Sequence, residues 1–185
     1  MSKNKQINYY KRELKRMMTD SDITRYLGQD ALSKIIKYSE LQQYKLITDL
    51  ITEDKDWIII LTEDKPNSGH WCCLIRINKD KFEWFDSYGV KPDGELKYIP
   101  WNIRVKLGES KLHLTRLMRT IKNPIYSIVK YQQLNDDIAT CGRWIIARIL
   151  TYKFGYTLDD FEKLFKEQSE ETGKPFDILI VDYIK

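Results

Sequence analysis

Ser68-Gly69-His70-Trp71-Cys72-Cys73-Leu74-Ile75 is a run built for burial that opens on a histidine. Extended through Arg76 and Ile77, its aromatic and β-branched content predicts a strand over Trp71–Ile77. Asn78-Lys79-Asp80 is a tight connection made of turn formers. Lys81–Asp86 (KFEWFD) then alternates, with Phe82 and Trp84 on one side and Glu83 and Phe85 on the other. The two segments predict an antiparallel hairpin. In such a hairpin the start of the first strand lies beside the end of the second, so His70 and Asp86 are expected at one sheet edge within hydrogen-bonding reach.

Working outward, Trp57–Leu61 (WIIIL) is a further short β-branched strand. Upstream, Thr19-Asp20-Ser21-Asp22 supplies N-cap residues ahead of Ile23, Tyr26 and Leu27 at helical spacing. Leu41, Tyr44, Thr48 and Ile51 predict a second helix from about Ser39 to Ile51. Downstream, Leu114, Leu117, Met118 and Ile121 predict a helix near Glu109–Ile121, closed by Pro124, with a strand over Ile125–Tyr131. A polar loop (QQLNDDIAT) leads to Cys141–Leu150, a helix apolar nearly all round and therefore buried. Thr157 caps another helix, carrying Phe161, Leu164 and Phe165. The tail FDILIVDYI fits strand or helix. Strands flanked by helices make this a mixed α/β or α+β domain.

The chain has 185 residues, 42% hydrophobic and 31% charged, enough for one proper core. No linker divides it, so a basic segment (1–18) followed by one domain (19–185) is expected. No apolar run approaches the ~20 residues of a membrane span. The N-terminus lacks the apolar centre of a signal peptide. Three cysteines, two of them adjacent, cannot build a disulfide framework, which predicts a reducing, intracellular setting. The net charge of +4 is mild, and much of it sits in Lys3, Lys5, Lys11, Arg12, Lys15 and Arg16. That cluster reads first as a solvated segment and second as a nucleic-acid contact.

Cys141 begins a helix, at the positive end of its dipole. A cysteine so placed, with a histidine base and a carboxylate to orient the imidazole, is the apparatus of acyl transfer through a thioester. Gln132 and Gln133, just upstream, are candidates for an oxyanion donor alongside the Cys141 backbone N–H. Singly, His70 is an ordinary strand residue, Asp86-Ser87 an ordinary turn and Cys141 a small buried hydrophobe. His70 and Cys72 share a strand face on which both could bind zinc, but no second ligand pair at zinc spacing accompanies them. The joint pattern carries the chemistry.

The order Gly69-His70-Trp71, Trp84–Gly89 (WFDSYG), Gln133-Leu134-Asn135 and Cys141-Gly142 resembles the adenovirus-type (adenain-like) cysteine endopeptidases, relatives of the proteases of SUMO and other ubiquitin-like proteins. The likeness spans about residues 19 to 165. It implies the α+β class, a small mixed β-sheet packed against helices in a papain-like fold, with the nucleophile at the N-terminus of a central helix. It also implies His70 as base, Asp86 as orienter, Cys141 as nucleophile, Gln133 as oxyanion donor and Trp71 as the aromatic beside the histidine, roofing a narrow slot for a small residue such as glycine. The loop from the glutamines to Cys141 is longer than is usual in that family. The compact size and the Lys-, Ile-, Asn- and Tyr-rich composition resemble the virophage and Polinton branch, which implies a monomer acting on capsid or other virion precursors, in the virion and the infected cell. No cofactor is required for the chemistry, and a DNA or peptide activator is implied, with DNA at the basic segment. A protease releasing ubiquitin-like proteins and an inactive, binding-only member are the rival expectations.

Overall fold

The computed structural model describes residues 3–185; the first two residues of the basic segment lie outside the described residues. Five strands form one sheet in sequence order: β1 (Ile35–Lys37), β2 (Asp56–Lys65), β3 (Ser68–Asn78), β4 (Lys81–Phe85) and β5 (Asn123–Tyr126). β3 runs antiparallel to both β2 and β4, while β1 and β5 add parallel edges, so the sheet is mixed. The hairpin follows the expected register, with Asn78 opposite Lys81 and Cys73 opposite Phe85.

Successive strand residues face opposite sides, and each side has its own core. On one side Trp57, Ile59, Trp71, Cys73, Ile75 and Phe85 pack with α2 (Asp20–Leu27), α6 (Cys141–Lys153) and α7 (Leu158–Thr172). On the other, Ile58, Ile60, Cys72, Leu74, Phe82 and Trp84 pack with α3 (Ile47–Leu50) and α5 (His113–Met118). Glu83 interrupts the first apolar face, and Arg148 of α6 meets it with Nε–Oε1 at 2.7 Å and Nη2–Oε2 at 2.8 Å. α2 and α7 begin as expected, each on a threonine capping box (Thr19 with Asp22, Thr157 with Asp160). The ambiguous tail is α8 (Phe176–Tyr183).

Several expectations need correction. The helix expected over Ser39–Ile51 is two fragments, a 3₁₀ turn at Tyr38–Gln43 and the single turn α3, joined by extended backbone at Tyr44 and Leu46. The break lets Tyr38, Leu41, Ile47 and Ile51 all reach the core. Arg116 donates to the carbonyls of Leu41 and Tyr44 that a continuous helix would have used. The helix expected over Glu109–Ile121 is shorter, α5, and another, α4 (Trp101–Leu107), precedes it and ends on left-handed Gly108. The strand expected over Ile125–Tyr131 pairs only to Tyr126; the chain then leaves β4, and Tyr131 and Gln132 donate their N–H groups to Ser87 O. β1 was not anticipated, nor was α1 (Lys3–Lys15), which docks through Glu13 to Arg143 and Tyr10 to Asp182.

Breaking a buried pair strands a charge, at a cost of about 3–5 kcal/mol. Arg148→Met should therefore lower the unfolding free energy by about that much, read from urea denaturation. Glu83→Leu added to it should restore most of the loss. A loss below about 1 kcal/mol, the scale of an exposed pair, would contradict this role.

Candidate active site

β4 stops at Phe85, opposite Cys73, so His70, Trp71 and Cys72 extend past the end of β4. The chain reverses there through Asp86-Ser87-Tyr88-Gly89, with Gly89 N donating to Asp86 O at 3.0 Å. Gly89 has φ +67°, and an added Cβ would stand 2.8 Å from Ile128 O, so a side chain has no place there. Gly69 is fixed by contact instead, since its Cβ would fall 1.9 Å from Thr62 O at the β2–β3 irregularity. Gly142 lets α6 start close against Met18 and Trp71.

The reversal aims Asp86 back at β3. His70 Nε2 lies 3.2 Å from Asp86 Oδ1, the Cys72 thiol donates to Oδ2 at 3.3 Å, and Tyr88 N donates to Oδ1 at 2.6 Å. Asp86 is fully buried. The His70 ring stacks on Tyr88, with centroids 4.2 Å apart and planes 10° from parallel. Burial opposes charge on His70, but Asp86 and then Cys141 outweigh it and hold the imidazole pKa well above its ordinary value. Burial, followed by the Asp86 charge, pushes the Cys72 thiol up, so it keeps its proton and serves as a donor to Asp86. His70, Cys72 and Asp86 have ligand atoms within 4.8 Å of one another, so a third group joins the pair that the zinc reading considered.

With Nε2 on Asp86, the other ring nitrogen, Nδ1, is buried and has no hydrogen-bond partner among the described residues. His70 and Cys141 line the same cleft, of about 560 Å³. Thr140, before Cys141, turns its hydroxyl to Asp177 at 2.5 Å, so the first amides of α6 have no side-chain cap. That leaves backbone N–H groups unclaimed at the thiol-bearing end of the helix.

The glutamine expectation needs correction. Gln133 is exposed, and its backbone N–H donates to Asp177 Oδ2 at 3.0 Å. Gln132 is buried and lines the cleft. Ser87 donates to its Oε1 at 2.9 Å, and its Nε2 donates to Ile138 O at 3.0 Å, leaving its second N–H with only a 3.5 Å contact to the Tyr88 hydroxyl. Adjacent side chains in extended backbone face opposite ways, and the two amides donated to Ser87 O set the register that turns Gln132 inward. Trp71 is also not a wall of this cleft. It is buried, with Nε1 donating to Met18 O at 3.0 Å, and it lines an adjoining depression that meets the cleft at Met17 and Gly69.

The sequence reading missed Ser87, Tyr88, Cys72 as a partner of Asp86, and Glu95. The first two lie inside FDSYG, where their proximity to Asp86 was a usable signal. The other histidine, His113, packs on Tyr38 and takes no part in the cleft lining.

No family model matches this chain. The "Uncharacterized protein V9" of Sputnik virophage is 33% identical over 173 residues, covering 90% of this chain and 95% of that protein. The chain belongs to the same family as that virophage protein.

Cys72 and Cys73 are fully buried, whereas Cys141 opens on the cleft. Iodoacetamide should alkylate Cys141 first in the folded protein, as read by peptide mass spectrometry; equal labelling of all three would contradict the geometry. The two histidines should titrate on opposite sides of the ordinary value of ~6.5, because burial lowers His113 while Asp86 helps raise His70. Asp86→Asn should bring the His70 ring-proton titration down in NMR spectra and leave His113 in place. An unmoved His70 would mean that Asp86 does not hold its charge.

Proposed function

We propose that this chain is a cysteine endopeptidase of the adenain-like, papain-type class, and that it matures virion precursor proteins by cutting beside small residues. What carries the reading is the meeting of the His70–Asp86 pair and the helix-start Cys141 on one cleft. A strand-borne imidazole tied at Nε2 has Nδ1 left for the thiol, which is what a cysteine nucleophile needs from its base.

In this reading Nδ1 already holds the Cys141 proton, as the raised imidazole pKa favours, and the thiolate Sγ attacks the substrate carbonyl carbon. The negative charge collects on the carbonyl oxygen, where the Cys141 backbone N–H and the second Nε2 hydrogen of Gln132 donate to it. Collapse breaks the C–N bond, and His70 passes its proton to the departing amine. Water, deprotonated by His70, then hydrolyses the thioester and frees the thiol. Asp86 stabilises the imidazolium throughout and fixes the ring. Gly69 lies where the cleft joins the Trp71 depression.

A DNA activator would engage Lys3, Lys5 and Lys11 on α1, since Arg12 and Arg16 are paired with Glu13 and Lys15 with Asp137. Among the described residues no helix is long and apolar enough to cross a membrane.

The test is incubation with virophage capsid precursor and with ubiquitin-like precursors, followed by mass measurement of the fragments. Capsid cleavage that disappears in Cys141→Ala is expected. Gln132→Ala should lower kcat by about a hundred- to a thousand-fold, the usual cost of one oxyanion donor, and Gln133→Ala far less. Release of ubiquitin-like protein alone would favour the deconjugating activity, and binding without cleavage the inactive alternative.

A further inference from the structure

Apart from the acyl-transfer groups, the charged walls of the cleft carry one sign. Asp64 near the end of β2, Glu95 in the turn after Gly94 and Asp136 in the loop before α6 all line it, and among the described residues no lysine or arginine does. This occurs in a chain whose net charge is +4. Asp64 and Asp136 are exposed, whereas their sequence neighbours Glu63 and Asp137 are paired with Lys37 and Lys15. Among the described residues no lysine or arginine pairs with Asp64, Glu95 or Asp136.

Glu95 is the more telling group. Its side chain is buried at 2% exposure, Thr62 Oγ1 donates to Oε1 at 3.3 Å, and Oε2 has no partner. Thr62 is the residue paired with His70 across the β2–β3 ladder, so Glu95 is anchored beside the base. Burial first, then the neighbouring Asp86 charge, raises its pKa to about 8. A buried carboxyl oxygen so placed, on the wall of an open cleft, is positioned to accept from a donor that enters it. A cation would give Oε2 a charge-assisted hydrogen bond and release the Glu95 proton to solvent.

We propose, resting on the reading of this cleft as a polypeptide site, that its substrate carries a lysine or arginine near the scissile bond, received by Glu95 and flanked by Asp64 and Asp136. The small residue then fits the reacting centre and the basic one sets the register.

The test is binding to full-length Cys141→Ala protein, which separates recognition from turnover. Fluorescein-labelled glycine-rich decapeptides carrying a single lysine, norleucine or glutamate at each position in turn are titrated by anisotropy. At one or two positions lysine should bind about tenfold tighter than norleucine, the scale of one charge-assisted contact, and glutamate weakest. Glu95→Gln should reduce that preference to within about twofold, and added salt should reduce it as screening predicts. If Glu95→Gln does not fold, Asp64→Asn/Asp136→Asn, altered only at exposed sites, should cut the preference measurably. Equal binding of the three series, a preference for glutamate, a lysine preference untouched by the variants, or no binding at all would each overturn the proposal. Cleavage of the norleucine peptides by the unmodified chain alongside equal binding would sink the charge preference alone, whereas capsid left uncut would count against the protease reading.

Discussion

Arg148 and Glu83 form a two-pronged ion pair with each side chain at 1% exposure, and the seating of α6 on the sheet depends on it. A bidentate guanidinium–carboxylate pair tolerates little rotation or sliding. Shifting a helix by one residue moves it about 1.5 Å, enough to leave both charges unpaired in the core. A second buried arginine on the same helix, Arg143, donates to Glu13, Arg16 O and Ile184 O, and so ties α6 to α1 and to the end of the chain. Two buried arginines of α6 thus fix where the helix begins. Cys141 is the residue at that beginning, which is how core electrostatics set the position of the thiol relative to His70.

Much of this was legible because hairpin geometry is local. Trp71–Ile77 and Lys81–Asp86 alternate and are joined by turn formers, so the proximity of His70 and Asp86 follows from strand pairing alone. The caps at Thr19 and Thr157 are equally local, each closed by an aspartate three residues on. What the sequence did not disclose depended on distant partners. The periodicity of Leu41, Tyr44, Thr48 and Ile51 is genuinely helical, yet Arg116, far along the chain, satisfies the broken backbone instead. Gln132 and Gln133 are indistinguishable by type. Only the amides donated to Ser87 O and the grip of Asp177 on Gln133 N decide which faces the cleft.

The same Asp177 also holds Thr140, so one carboxylate from α8 clamps both ends of the 133–140 loop. That clamp holds the loop at both ends while its middle bulges to solvent at residues 133–137, which are exposed. Around His70, Asp86 is held by three donors and the imidazole by one carboxylate and one stacked ring, so the ring has little freedom to turn. The neighbouring Glu95 is then an acid next to an already occupied acid, an arrangement that favours keeping its proton until a cation arrives.

The most direct measurement is intact-mass analysis of the protein quenched in acid within its first turnover of an activated glycyl peptide ester. The account predicts a single acyl adduct, mapped to Cys141 and labile to hydroxylamine as a thioester is, forming in the unmodified chain and failing to form when His70 is replaced by alanine. An adduct on Cys72 or Cys73, or one that forms equally well without His70, would contradict the assignment of nucleophile and base.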